Sequence, residues 1–220
     1  MTTEISKTTT IDGFAATLAR VPVGSDVVAL WHVADLERHV DRHALLAGDD
    51  PPEPPYWAHL WSGAIVLAEA LPAGAHSAIE LGCGLGLPGL VAARRGAAVT
   101  FVDRVPAPLA FVRASARANG IDDVRLVAAD LAAPALRTCF DLVLAAEILY
   151  DRVAFPGIAV ALARCLAPGG VALLTDAGRI DTRAFYDTLA PAGLRWRAEE
   201  REMREEGLPV RVRLVEMRHR

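Results

Sequence analysis

The sequence predicts an α/β fold, with a mostly parallel sheet covered by helices on both faces. Three observations predict it. From Ser77 onward, short apolar runs at 77–81, 98–103, 124–128, 140–145 and 171–175 alternate with stretches of helical spacing at 88–95, 107–119, 153–166 and 182–190. The runs are almost continuously apolar, as strands buried on both faces are. The chain then ends differently: 194–201 and 210–217 are strand-like, with a polar turn containing Gly207 and Pro209 between them and no helix, so they pair antiparallel at one sheet edge.

Ahead of the alternation, 14–21 and 27–33 read as two short strands or a hairpin separated by Pro22 and Gly24. Residues 34–46 have helical spacing, 49–55 form a proline-rich loop, and 56–71 read as one amphipathic helix ending before Pro72 and Gly74. The expected organisation is a disordered tail (1–10), an N-terminal extension or cap (11–55) and one main domain (56–220). The extension is too small to hold a core of its own and must pack on the main domain.

At 220 residues and 53% hydrophobic, the chain can bury a substantial core. No apolar run is long enough to cross a membrane, and the polar, Thr-rich start has no signal-peptide core. Three widely spaced cysteines (Cys83, Cys139, Cys165) show no metal spacing and suit a reduced, cytoplasmic protein. The net charge of −4 argues against a nucleic-acid partner. The Arg-rich end is interleaved with Glu199, Glu200, Glu202, Glu205, Glu206 and Glu216, and reads as a solvated face. His39 and His43 lie one helical turn apart near Asp35 and Asp41 but have no third ligand, so no metal is expected.

The most informative stretch is 79–86, Ile-Glu-Leu-Gly-Cys-Gly-Leu-Gly. An apolar strand ends on Glu80, a turn with Gly82, Gly84 and Gly86 around the small Cys83 comes next, and Pro88 opens a helix. Such a turn lets a ligand lie on bare peptide, and the helix N-terminus behind it offers N–H groups. Asp103 closes the next strand, placed to accept the hydroxyls of a ribose. Gly84, Gly86 and Gly89 satisfy the dinucleotide pattern Gly-x-Gly-x-x-Gly, so a dehydrogenase is the competing reading. A carboxylate at position 80 suits a cationic ligand better than a pyrophosphate, which favours S-adenosylmethionine. Asp130 suits the adenine amino group, with the Leu131 backbone beside it, although Asp130 equally suits a helix cap. Trp57 and Trp61 are each placed to wall the pocket or to fill core.

On these residues the chain resembles the seven-strand, Rossmann-like class I S-adenosylmethionine-dependent methyltransferases, and more closely their lysine-methylating branch, methyltransferase family 16. Glu80 to Gly86 is similar to the superfamily's first motif, and Asp103 to its ribose acid. Pro55-Tyr56-Trp57-Ala58-His59-Leu60-Trp61 looks like the opening Pro-Phe-Trp-Ala-x-x-Trp of the electron-transfer-flavoprotein β-subunit lysine methyltransferases. Glu147-Ile-Leu-Tyr150 is similar to the branch signature (Asp/Glu)-x-x-(Phe/Tyr), with Glu where that group more often has Asp. The resemblance implies a seven-stranded sheet with the last strand inserted antiparallel. It adds Arg104 and Ala146, beside Asp103 and Glu147, to the cofactor contacts and names Glu147 and Tyr150 as catalytic. It also implies a protein substrate presenting a lysine, handled by a monomer or weak dimer; a small-molecule N- or O-methyltransferase and a non-catalytic binding module are the alternatives.

The chemistry fits those residues. A lysine amine, with a reference pKa of about 10.4, is mostly protonated at neutral pH. A carboxylate beside it can align its lone pair and steady the cationic product without removing the proton itself. Glu147 lies just past the fourth strand, at the edge where such sheets bind ligands; pairing with Arg152 at a solvent edge is its bland alternative. Tyr150, expected one helical turn on, closes the slot or orients the amine. His59 and Asp176 are further candidates for substrate contact, against structural roles for both.

Overall fold

The computed structural model describes residues 8–39, 54–130, 138–205 and 207–220. Five parallel strands form where the apolar runs predict them: β4 (Ser77–Leu81), β5 (Ala98–Asp103), β6 (Arg125–Ala128), β7 (Phe140–Ala146) and β8 (Leu166–Asp176). Strands β9 (Leu194–Glu205) and β10 (Leu208–His219) complete a seven-stranded sheet of order β6-β5-β4-β7-β8-β10-β9. β10 lies antiparallel to both neighbours, so the final strand is inserted antiparallel as expected.

Successive strand residues point to opposite faces. Ala78, Val99, Phe101, Leu142 and Leu144 join one core with α1 (Ser62–Glu69), α2 (Leu87–Arg94) and α3 (Pro106–Ala118). Ile79, Leu81, Val102, Val143 and Ala145 join the other with α4 (Phe155–Cys165) and α5 (Arg183–Leu189). Both faces are therefore dry, which is why these strands read as continuous apolar runs. No helix among the described residues is long and apolar enough to cross a membrane.

The N-terminal segment differs from expectation. Residues 8–10, placed in the disordered tail, belong to β1 (Thr8–Ile11), which pairs antiparallel with β2 (Phe14–Val23). The turn between them is Asp12-Gly13, both at positive φ (48° and 83°), a geometry that matches the twist of a hairpin. β3 (Asp26–Val33) extends this small sheet, and its outer edge is closed by the C-terminal end of α3. Ala29 N–H donates to Asn119 Oδ1 at 3.0 Å, Asn119 Nδ2 donates to Ala29 O at 2.6 Å, and Trp31 N–H donates to Ser115 Oγ at 2.9 Å. Side chains thus do the work of a missing strand.

Of the helix expected over 34–46, the described part is a single 3-10 turn, Leu36–His39. The remainder, His43 and Asp41 included, lies outside the described residues, as do 49–53 of the proline-rich loop. The helix expected over 56–71 is two pieces. Tyr56–Ala58 is a 3-10 turn, His59 and Trp61 are extended, and α1 starts only at Ser62. The break has a cause, because Ser62 N–H and Oγ both donate to Glu205, at 3.1 and 2.7 Å, and fix the helix start there. At the chain's end both strands are longer than expected. β9 and β10 continue past the last β8 pair, Arg213 with Asp176, and this overhang carries Glu205 beyond the sheet edge to α1.

Candidate active site

The strand order reverses between β4, which leads to β5 and β6 on one side, and β7, which leads to β8 on the other. A crevice at the C-terminal edge of such a switch point is where open α/β sheets bind ligands. The predicted site residues fall on its two sides.

On the β4–β5 side, the glycine turn is shaped by its neighbours. Gly84 (φ 48°) lies under the Trp57 backbone, where a Cβ would come within 3.1 Å of the Trp57 carbonyl oxygen. Gly86 (φ 74°) has no space for a side chain between Val112 and Phe101. Asp103, 7% exposed, ties the turn to its own loop. Its Oδ2 accepts from Gly84 N–H and its Oδ1 from Val105 N–H, each at 3.0 Å. Burial raises the Asp103 pKa, and these two bonds oppose that rise. A carboxylate has about four acceptor positions, and the Val105, Gly84 and Arg104 N–H groups leave room for a ribose hydroxyl. Buried Cys83 fills the turn from within, its thiol pushed up by burial and by the nearby acids.

Glu80, expected to face the ligand's cationic centre, is instead turned into the fold. It is 1% exposed, and its Oε2 accepts from Gly89 N–H at 2.8 Å. The reason is local: Gly86, the N-cap of α2, has no side chain to cap the helix, and Pro88 has no N–H, so Glu80 supplies the missing acceptor. Burial pushes its pKa up to about 8 despite that bond. The Gly89 N–H at the α2 N-terminus is therefore already taken by Glu80, which leaves less for a pyrophosphate and weakens the dinucleotide alternative. Asp130 lies exposed just past β6, with Arg104 exposed just past β5. Leu131 lies outside the described residues.

On the β7–β8 side, Ala146 ends β7 and Glu147 comes next at φ 55°. A left-handed backbone costs a non-glycine residue about 1–2 kcal/mol, and such outliers concentrate at functional sites. The geometry is enforced by Glu147 N–H, which donates to Thr175 O at 3.0 Å and so continues the pairing of β7 with β8. The side chain is 5% exposed and packs over Gly63 in the first turn of α1. Thr175 Oγ1 holds that turn by donating to Gly63 O at 3.0 Å. Glu147 Oε2 accepts from Ala177 N–H at 3.2 Å and lies 3.6 Å from Arg179 Nε. Oε1 is buried with no hydrogen-bond partner among the described residues. Burial raises the Glu147 pKa, opposed chiefly by Arg179. The expected alternative, a solvent-edge pair with Arg152, does not form; Arg152 Nε donates to Asp181 O instead.

The other candidates separate. Tyr150 is half exposed on an irregular loop rather than one turn along a helix, and its ring lies 6.2 Å from that of Tyr56. Trp57 packs its ring on Phe14 and Phe111, so only its backbone reaches the glycine turn. Trp61, assigned to the cofactor, lies on the other side, with the Arg179 guanidinium 4.3 Å above its ring and His59 4.3 Å away. Asp176 is structural: it accepts from Gly178 N–H, Thr182 Oγ1 and Tyr186 OH, and Arg213 lies 3.5 Å away. His39 stacks on Phe14, and no group of three metal-ligating side chains occurs among the described residues.

Three residues here escape the sequence reading: Gly63, Arg179 and Glu205. Gly63 carried a signal, since a glycine inside an amphipathic helix is costly unless something must come close. Arg179 and Glu205 carried none; Glu205 was read with the solvated charges of the chain's end.

Comparison with known proteins agrees with this geometry. A methyltransferase-domain family matches residues 78–170. The chain is 30% identical to the protein N-lysine methyltransferase METTL21A of Danio rerio, covering 72% of this chain and 79% of the relative. It is 35% identical to METTL21A of Mus musculus, covering 60% and 66%. Among solved structures, the N-methyltransferase NodS of Bradyrhizobium japonicum bound to S-adenosyl-L-homocysteine superposes with a TM-score of 0.59 at 20% identity, over 84% of this chain and 96% of that one, a likeness of fold. The chain is an enzyme of the class I S-adenosylmethionine-dependent methyltransferase family, on the side of that family where METTL21A lies.

Proposed function

We propose that this methyltransferase uses S-adenosylmethionine to methylate the side-chain amine of a lysine in a protein substrate. The observation that carries the reading is Glu147, a buried carboxylate at the sheet's switch point, held in strained backbone, with one oxygen unpartnered among the described residues. An acceptor N–H is the donor that oxygen lacks. The METTL21A relatives support lysine as its source.

The residues of the glycine turn fit the cofactor. Gly84 and Gly86 keep the peptide bare, Asp103 keeps acceptor capacity for a ribose hydroxyl, and we assign Asp130, exposed just past β6, to the adenine amino group. Cys83, Arg104, Ala146 and the Leu131 backbone complete our assignment of that side. Glu80 acts from behind, by fixing α2 against the turn. Bound there, S-adenosylmethionine supplies a methyl group activated by a positively charged sulfur. Glu147 accepts an N–H of the incoming amine, aligns its lone pair and stabilises the methylated cation. Tyr150, facing Tyr56, walls the mouth. We assign residues 11–55 to a cap over the site. The free thiols of Cys83, Cys139 and Cys165 support a reducing, cytoplasmic setting.

Incubation with methyl-labelled S-adenosylmethionine and cell extract tests the reading. Label should enter a protease-sensitive macromolecular fraction and be recovered as methyllysine after hydrolysis. Label confined to dialysable metabolites overturns the protein-lysine reading in favour of a small-molecule acceptor.

A further inference from the structure

Arg179 has no place in the motifs, yet it is among the most closely held cations of the site. Its Nη2 lies 2.9 Å from both Glu205 carboxylate oxygens, and its guanidinium carbon stacks 4.3 Å above Trp61. Glu205 is itself anchored by both donors of Ser62. These contacts fix the guanidinium without help from Glu147, which lies 3.6 Å from Nε. The positive charge is therefore preset, and Glu147 is placed beside it.

We propose that Arg179 is a positioning residue of the acceptor site: clamped by Glu205 and Trp61, it holds the Glu147 carboxylate ionised and in one orientation. The inference rests on the acceptor role given to Glu147 above. A carboxylate that is 5% exposed, with one orphan oxygen, favours its neutral form unless a cation stands near. A protonated Glu147 would offer the amine one acceptor oxygen fewer. An unbalanced Glu147 anion would hold the amine's proton, the form without a free lone pair. A fixed guanidinium answers both problems, since it keeps Glu147 charged while offsetting the field that would retain an ammonium. Of the other charged groups facing Glu147, Asp176 on β8 and Glu205 on β9 both act against its ionisation. Arg213 on β10 is directed to Asp176 and Tyr186, and the first turn of α1 contributes no titratable side chain. Arg179 alone of these charged neighbours favours the anion, beside the Ala177 N–H that Glu147 accepts.

The test tracks the Glu147 carboxyl carbon by NMR in protein labelled at the glutamate side-chain carboxyl, with the resonance identified by its loss in Glu147→Gln. The titration midpoint should rise by at least about one pH unit, a tenfold change in proton affinity, in Arg179→Met and stay near the wild-type value in Arg179→Lys. Arg179→Gln, which keeps donors without the charge, should behave like the methionine variant and serves if that one does not fold. An unmoved midpoint in either folded neutral variant overturns the proposal. So does a wild-type midpoint above about pH 7, since the carboxyl would then be mostly neutral at working pH. The titration needs neither cofactor nor acceptor. Its failure is therefore separable from failure of the lysine reading, which the labelling experiment decides.

Discussion

Replacing Gly63 by alanine should disable the acceptor side while sparing the cofactor side. A Cβ at this position would lie 2.7 Å from Glu147 Cγ and 2.8 Å from Cδ, and closer still to Oε1. Ordinary contact starts at 3.4 Å, so the Glu147 side chain must withdraw by at least about 0.7 Å. It cannot yield by a small backbone adjustment, because its main chain is pinned to Thr175 at an already strained φ of 55°. A misplacement of about 1 Å in a positioning group can cost roughly a hundredfold in rate. The expected fall in kcat is therefore about ten- to hundredfold, or about 1.4–2.7 kcal/mol of barrier. Overpacking costs about 1–3 kcal/mol of stability, and the better helix propensity of alanine returns up to about 1. The variant should fold with only a modest loss in Tm. Initial rates with labelled cofactor and calorimetric binding of S-adenosylhomocysteine separate the two effects. Wild-type turnover in a folded Gly63→Ala enzyme would refute the reasoning, as would a loss of rate that tracks a loss of cofactor affinity.

Other expectations arise from the same contacts. Glu147→Ala should lower turnover at least about tenfold while cofactor binding survives, since its side chain is held by Ala177, Arg179 and Gly63 on the β7–β8 side; equal turnover in a variant that still binds cofactor removes Glu147 from the mechanism. Asp103→Asn keeps one acceptor for the loop amides but introduces a donor where an acceptor is needed, so cofactor Kd should rise at least about tenfold, or about 1.4 kcal/mol, by titration calorimetry. Glu80 predicts a pH dependence of stability. Its folded pKa of about 8 lies above the reference 4.5, so the folded state binds the extra proton and stability is lost as pH rises through that window. The melting temperature of the wild type should fall between about pH 5 and pH 8, and Glu80→Gln should flatten the slope; coincident slopes would show that the carboxyl is already ionised.

How much of this was legible depended on whether a signal was local. The parallel core was, because strands buried on both faces announce themselves as unbroken apolar runs, and Ser77–Leu81 and Ala98–Asp103 are observed at the bounds expected. The glycine turn and its acids were legible as residues, but the direction of Glu80 was not, since Gly89 N–H competes for the carboxylate only after α2 has formed. The Asp12-Gly13 turn is a readable hairpin sign that the polar tail beside it obscures. The break between Tyr56 and Ser62 could not be read, because it is imposed by Glu205, distant in sequence. Charged residues along β9 hide any apolar alternation, so the strand runs further than its sequence suggests.

The overhang of β9 and β10 has a wider meaning. One carboxylate at its tip joins the start of a helix, a clamped arginine and, through that arginine, an aromatic ring, and all three lie on the side we propose for the acceptor. On the proposed site, altering the reach of that hairpin should change which acceptor is taken more than it changes cofactor binding, because Glu205 and its partners lie away from the glycine turn's own hydrogen bonds. The adjustable part would then sit at the margin, where change costs the core least.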